Sequence, residues 1–140
     1  MRTLIMAFLL FPLLSADHGE ALPIILDCVE SSNKECLSAM PKGFNFLKGY
    51  PLQFGDRPHI EHSYVFTKGT KYIIKICKAV GKDAEFSIFN GERKIVGSNK
   101  ISGTLNNTLA YECGATGIYY IKIAFSSSDF CGNCLLAFSR

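Results

Sequence analysis

From residue 59 onward, apolar and polar residues alternate in short runs that predict β-strands. In the run 71–78, one face carries the apolar side chains of Tyr72, Ile74 and Ile76. In the run 118–125, one face carries Tyr119, Ile121, Ile123 and Phe125. Such alternation is typical of strands that bury one face and leave the other near solvent.

Turn signals separate these runs. Asn90-Gly91 predicts a two-residue hairpin between strands 84–89 and 92–96, because both residue types tolerate positive φ. Residues 104–113 and 131–138 predict further extended segments, and the total is about seven strands. We therefore expect a mainly β fold, a jelly-roll-like antiparallel β-sandwich over residues 59–140.

The segment 17–58 does not show the strand-like alternation of the residues that follow it. Residues 33–40 predict a short helix that is capped by Ser31-Ser32-Asn33 and ended by Pro41 and Gly43. Residues 44–54 are rich in large apolar side chains without a clear period, which predicts irregular chain. We expect this short helical lead-in to pack onto the sandwich, because so many apolar residues would not remain in water.

Residues 1–16 have the features of a secretory signal peptide. Met1-Arg2 is followed by an apolar run over residues 4–14 and by small residues that end at Ala16. The run is too short to span a bilayer, which needs roughly twenty apolar residues. The sequence therefore predicts a secreted or periplasmic protein with no membrane span in the mature chain.

The six cysteines predict disulfides, because an even count in an exported chain is typical of a disulfide framework. The candidates are Cys28, Cys36, Cys77, Cys113, Cys131 and Cys134. Proximity in sequence favours the pair Cys28–Cys36. Cys77 and Cys113 each end a predicted strand, so a bridge between strands or sheets would join them, and Cys131 and Cys134 would remain for each other. A rival set joins Cys77 or Cys113 to Cys131 and leaves a free thiol.

Composition and charge exclude several classes. The chain has 140 residues, of which 48% are hydrophobic, which excludes disorder and fits one domain. It has 15 basic and 12 acidic residues, so a nucleic-acid partner is not expected. Removal of Arg2 with the signal peptide lowers the small basic excess further.

The order of motifs over residues 63–138 resembles the bacterial pre-peptidase C-terminal (PPC) domain. The residues that carry the resemblance are Tyr-x-Phe at 64–66, Gly-Thr-Lys-Tyr-Ile-Ile-Lys-Ile at 69–76, Ala-Glu-Phe-Ser-Ile-Phe-Asn-Gly at 84–91, Val-Gly-Ser-Asn at 96–99 and Ala-Thr-Gly-Ile-Tyr-Tyr-Ile-Lys-Ile at 115–123. The chain is also similar to small exported proteins of flavobacterial type.

This resemblance implies a secreted, non-catalytic sandwich that accompanies an exported enzyme and in some members binds polysaccharide or collagen. Some members also bind calcium through acidic residues that lead into the domain. The corresponding segment here, residues 48–57, contains only Asp56, so the calcium site is not carried over.

Few residues indicate chemistry. Asp56, His59, Glu61 and His62 are of metal-binding type, but their spacing matches no known pattern and a strand would split them between two faces. We expect no catalytic residue, metal or cofactor. Asn106-Asn107-Thr108 is an N-glycosylation sequon that matters only in a host that modifies it.

Aromatic residues on the face opposite the predicted core are the candidates for ligand contact, and they are Phe89 and Tyr120. The alternative is that the lead-in buries them. We expect an accessory or binding module for an extracellular polysaccharide or protein. The alternatives are a structural envelope protein without soluble ligand and a thiol-disulfide oxidoreductase that uses the C-x-x-C at 131–134.

Overall fold

The computed structural model describes residues 22–53, 55 and 57–140, with side chains described from residue 28. The predicted signal peptide and Asp56 lie outside these residues. Within these residues one helix precedes ten strands. They are α1 (Leu22–Ser38), β1 (Asn45–Gln53), β2 (His59–Phe66), β3 (Lys71–Val80), β4 (Glu85–Phe89), β5 (Ile95–Ser98), β6 (Lys100–Ile101), β7 (Thr104–Leu105), β8 (Thr108–Glu112), β9 (Gly117–Ala124) and β10 (Cys131–Ser139).

Eight of these strands form two four-stranded antiparallel sheets. Sheet A has the order β1-β10-β3-β8, and sheet B has the order β2-β9-β4-β5. Strands β6 and β7 form a separate two-stranded ribbon. The predicted mainly β fold with an N-terminal helix is confirmed, although the chain has more strands than the expected seven.

The core lies between the inner faces of the two sheets, as the alternation in β3 and β9 predicts. Sheet A contributes residues such as Ile74 and Leu136, and sheet B contributes Ile88 and Ile121. These side chains are almost completely buried. Burial of each such side chain contributes roughly 1.5–3 kcal/mol to folding relative to an exposed one, so the core is the main source of stability.

Helix α1 packs on the outer face of sheet A, against β3, β10 and β1. The contact residues include Cys36 on the helix and the outward side chains of Cys77, Leu135 and Ala137. The predicted helix at 33–40 is therefore the C-terminal part of one longer helix. It ends before Pro41 and Gly43, where Gly43 has a φ of 84°.

Residues 45–53 form a strand where the sequence predicts irregular chain. Strand β1 pairs with β10, and its register shifts between Phe46 and Lys48. Beyond this shift Tyr50 and Leu52 point into the core, while Pro51 lies on this edge strand, where proline is tolerated. The shift and the proline hide the alternation, so the lead-in is part of the sandwich itself.

The hairpin between β4 and β5 is longer than the two-residue turn predicted at Asn90-Gly91. The Asn90 side-chain oxygen accepts hydrogen bonds from the backbone N–H groups of Glu92 and Lys94, both at 3.0 Å. Arg93, with a φ of 63°, is the residue that takes the left-handed conformation. The return strand therefore begins at Ile95 instead of Glu92.

Candidate functional site

Phe89 and Tyr120 lie side by side on the outer face of sheet B. They are directly opposite each other in the register of β4 and β9. Their neighbours Ile88 and Ile121 point the other way, into the core. Both aromatic side chains are half-buried. The described helix and strand of the lead-in, α1 and β1, lie on and in sheet A, so they do not cover these two side chains.

An arginine covers the Tyr120 ring. The Arg93 guanidinium lies 3.6 Å from the ring centroid and forms an ion pair with Glu61 at 2.8 Å. The hydrogen bond to Glu61 raises the pKa of Arg93. The β4–β5 turn places Arg93 here, so the local sequence around Tyr120 gives no signal of this contact.

Apolar side chains flank the Arg93–Tyr120 stack on both sides. Val65 of β2 is directly opposite Ile118 of β9, and these side chains are 57% and 51% exposed. On the far side Ile95 is directly opposite Phe89 and is 63% exposed. We call Val65, Phe89, Ile95, Ile118 and Tyr120 the open face. It combines exposed aliphatic groups with two aromatic rings, and the Arg93 guanidinium lies over one of these rings.

The disulfides differ from every predicted pairing. Cys28 bonds to Cys131, and Cys36 bonds to Cys77, while Cys113 and Cys134 are free and buried. Two bridges therefore form instead of three. Both join α1 to the sheet beneath it, which a comparison of cysteine spacings does not reveal.

Geometry explains why the predicted pairs fail. Positions 28 and 36 of one helix are about 12 Å apart at 1.5 Å per residue, beyond the reach of a disulfide. Cys113 follows β8 and its N–H donates to the Thr70 carbonyl at 3.0 Å, before β3 begins, whereas Cys77 is near the other end of β3. These two cysteines therefore lie far apart along the sheet.

The C-x-x-C at 131–134 lies on strand β10 and does not open a helix. Residues three apart on a strand point to opposite faces. Cys131 bonds to Cys28 on the helix side, whereas Cys134 belongs to the core and is 0% exposed. Burial raises the pKa of the Cys134 thiol to about 12. The two cysteines therefore do not form a redox pair.

The metal-type residues at the start of β2 are divided between its two faces, as the sequence predicts. His59 and Glu61 point outward, and His62 points inward beside Tyr50, with ring centroids 4.1 Å apart. The described part of the chain contains no group of three or more His, Cys, Asp or Glu side chains suited to a metal ion. Glu61 instead pairs with Arg93.

Within residues 22–53, 55 and 57–140, no helix has the length and apolar character needed to cross a membrane. Comparison with known proteins found no matching family model and no matching curated protein.

Proposed function

We propose that the protein is a secreted, non-catalytic binding module that docks an extracellular partner protein on the open face. The observation that carries this proposal is the asymmetry of the sandwich. Helix α1 lies over the outer face of sheet A, whereas Val65, Ile95 and Ile118 of sheet B remain more than half exposed.

The chemistry of the open face favours a protein partner. Isolated exposed apolar residues are normal on a soluble protein, but here they are neighbours in register on both sides of Tyr120 and Arg93. Aromatic residues and arginine are enriched at protein interfaces and often carry most of the binding energy. Stacking of a sugar on the Tyr120 ring is less favourable, because the Arg93 guanidinium already covers that ring.

Export is supported by the signal-peptide pattern of residues 1–16 and by the two disulfides, which persist in oxidising compartments.

A non-catalytic role is supported by the burial of the two free thiols. Cys113 and Cys134 are both buried, so neither presents the exposed thiolate that nucleophilic catalysis by cysteine needs.

Substitution within the open face tests this proposal. The purified protein, with wild-type sequence or with Ile118→Lys or Ile118→Thr, is immobilised and exposed to culture medium and envelope extract of the source organism. The threonine variant keeps a β-branched side chain on the strand while it reduces the apolar area. The matched control is Leu37→Lys on α1, an exposed leucine away from the open face.

We expect one extracellular protein to be retained by the wild type and by Leu37→Lys and to be lost with both Ile118 variants, as measured by quantitative mass spectrometry. Circular dichroism confirms that each variant is folded. The proposal is wrong if no retained protein depends on Ile118. Retention of a polysaccharide, or fractionation with the envelope without an Ile118-dependent partner, would favour the alternative functions.

A further inference from the structure

Strand β2 lies at one edge of sheet B, and none of the described strands pairs with its outer side. On its inner side it pairs with β9 over all 8 residues without a register shift. The free side of such a long and regular strand can accept a further strand, which is why natural proteins usually protect their sheet edges. We call this free side of β2 the open edge.

The neighbouring edge strand β1 has features that block pairing with a further strand, and β2 lacks them. Strand β1 contains Pro51, and its register shifts between Phe46 and Lys48. Proline and register shifts both disturb strand pairing at an edge. Strand β2 contains no proline, no lysine and no register shift. It is therefore the better candidate for an added strand.

The hydrogen bond just before β2 shows which backbone groups face the open edge. The Phe125 N–H donates to the Pro58 carbonyl at 3.0 Å. Along two antiparallel strands, residue pairs that exchange hydrogen bonds alternate with pairs that do not. When this alternation is continued along the register, every second residue of β2 bonds to β9. The intervening residues, whose N–H and C=O groups point to the open edge, are His59, Glu61, Ser63 and Val65.

A shallow hollow of about 520 Å³ lies along the open edge. Its lining joins Val65 and Ile118 of the open face to Lys48 of β1, and Ser63 and Tyr64 complete it. Lys48 is exposed and has no carboxylate partner among the described residues. A strand added to β2 would therefore have apolar surface on one side and an ammonium group on the other.

We propose that the partner protein adds an extended segment to the open edge as a further strand, with an apolar side chain beside Val65 and a carboxylate beside Lys48. This inference rests on the proposed function, because Val65 and Ile118 belong to both the hollow and the open face. In strand addition, main-chain hydrogen bonds supply affinity and alternate side chains supply specificity.

A second copy of the chain is a less favourable occupant. If β2 pairs with itself in antiparallel fashion, the register that uses all four outward-directed residues places the two-fold axis at His62. Burial and, secondarily, the charge of Lys48 lower the pKa of His62, so Lys48 lies near this position. The two lysines would then repel each other across the axis, whereas a carboxylate of a different protein would be attracted.

A synthetic peptide tests whether the open edge accepts a strand. The probe is a fluorescent, acetylated and amidated octapeptide of alternating valine and glutamate, and binding is measured by fluorescence anisotropy. The control peptide has the same side chains but a methyl group on every backbone nitrogen, so it cannot donate hydrogen bonds to a strand. We expect the control to bind about tenfold more weakly or not at all. Absence of binding by the parent peptide, or equal binding by both, would overturn the proposal.

Ser63→Pro blocks the open edge with little effect on the sheet. The Ser63 N–H points away from β9, so its removal costs no hydrogen bond within the sandwich. Ser63→Ala keeps this N–H and is the matched control. We expect Ser63→Pro to weaken peptide binding by about tenfold or more and Ser63→Ala to bind as the wild type does. Circular dichroism confirms the fold, and equal binding by a folded Ser63→Pro variant would refute strand addition.

A charge exchange tests the contact with Lys48. Lys48→Glu should bind the glutamate peptide about fivefold more weakly than the wild type does and should bind a valine–lysine peptide more tightly. Lys34→Glu, at an exposed position on α1, is the matched control for net charge and should change neither affinity. Equal effects of the two substitutions would overturn the placement of a carboxylate beside Lys48.

The retention assay with extracellular proteins separates this inference from the proposed function. If the partner adds a strand, the protein whose retention depends on Ile118 is also lost with Ser63→Pro. Its retention by Ser63→Pro would overturn strand addition and leave the proposed function in place. Absence of any Ile118-dependent protein would contradict the proposed function, while the peptide still decides whether the open edge accepts a strand. Dimers that Ser63→Pro abolishes, detected by light scattering without peptide binding, would assign the edge to a second copy and overturn the proposal.

Discussion

Buried polar side chains differ in whether their hydrogen-bonding groups have partners. Asn99 is 1% exposed and fully engaged: its oxygen accepts from the Phe86 N–H at 2.7 Å, and its nitrogen donates to the carbonyls of Ala84 and Asn106 at 3.0 and 2.8 Å. His62 is the opposite case, since its Nε2 is buried without a partner among the described residues. These two residues should therefore respond differently to substitution.

Asn99→Ala should lower the free energy of unfolding by about 3 kcal/mol, because it leaves three backbone groups without partners in a buried place. Urea denaturation followed by circular dichroism measures the change. Substitution of Asn90, whose side chain bonds the exposed turn backbone, serves as the control and should cost less. Equal losses for the two variants would contradict the role of burial.

His62 should make stability depend on pH. Burial, and secondarily the charge of Lys48, lower the pKa of His62. The unfolded chain then binds a proton near pH 6.5 that the folded chain does not yet bind. Stability is therefore fully present above about pH 6.5 and declines as the pH falls from there toward the lower pKa of the folded state.

His62→Phe keeps an aromatic ring beside Tyr50 and should remove this decline. The free energy of unfolding, measured between about pH 5 and 7, should fall with decreasing pH in the wild type and be flatter in the variant. His59→Phe, on the outward face of β2, is the control that should retain the wild-type slope. Parallel slopes for all three proteins would show that His62 is not responsible.

At the scale of elements, the attachment of α1 is the feature that could not be predicted from the sequence. The alternation in residues 71–78 and 118–125 identified β3 and β9 with the correct faces. The predicted disulfide pairs are wrong because the actual pairing depends on where α1 lies on sheet A. No local pattern in the sequence encodes that position. The prediction of irregular chain at residues 45–53 is wrong because the register shift of β1 and Pro51 interrupt the alternation that would indicate a strand.

The same distinction applies to the candidate sites. The outward positions of Phe89 and Tyr120 follow from strand periodicity, so they could be predicted. The contact of Arg93 with Tyr120 could not, because it depends on two elements that are distant in sequence.

The Cys36–Cys77 bridge should contribute substantially to stability. It closes a loop with a sequence separation of 41 residues, and a bridge of this kind typically contributes about 2–4 kcal/mol. The double variant Cys36→Ala/Cys77→Ala should therefore unfold at lower urea concentration. Cys113→Ala, which removes a free thiol, is the control and should cost less. A double variant as stable as the wild type would contradict this contribution.

For the whole molecule, the buried thiol of Cys134 reports on global unfolding. Cys134 is 0% exposed in the core between the sheets, and burial raises the pKa of its thiol. The folded protein should therefore protect Cys134 from maleimide, and labelling should follow the unfolding transition in urea. Mass spectrometry of labelled peptides measures this. Rapid labelling of Cys134 in native buffer would show that the sandwich opens locally.

The central position of β10 has a consequence for how the chain is made. β10 pairs with β1 on one side and β3 on the other, and it carries the cysteine that bonds to Cys28 at a sequence separation of 103. A ribosome must therefore add residues 131–139 before sheet A can close. Until then, Cys28 has no native partner and β1 has no neighbour. Oxidation of the Cys28–Cys131 pair must therefore follow synthesis of β10, the last strand of the chain's fold to be made.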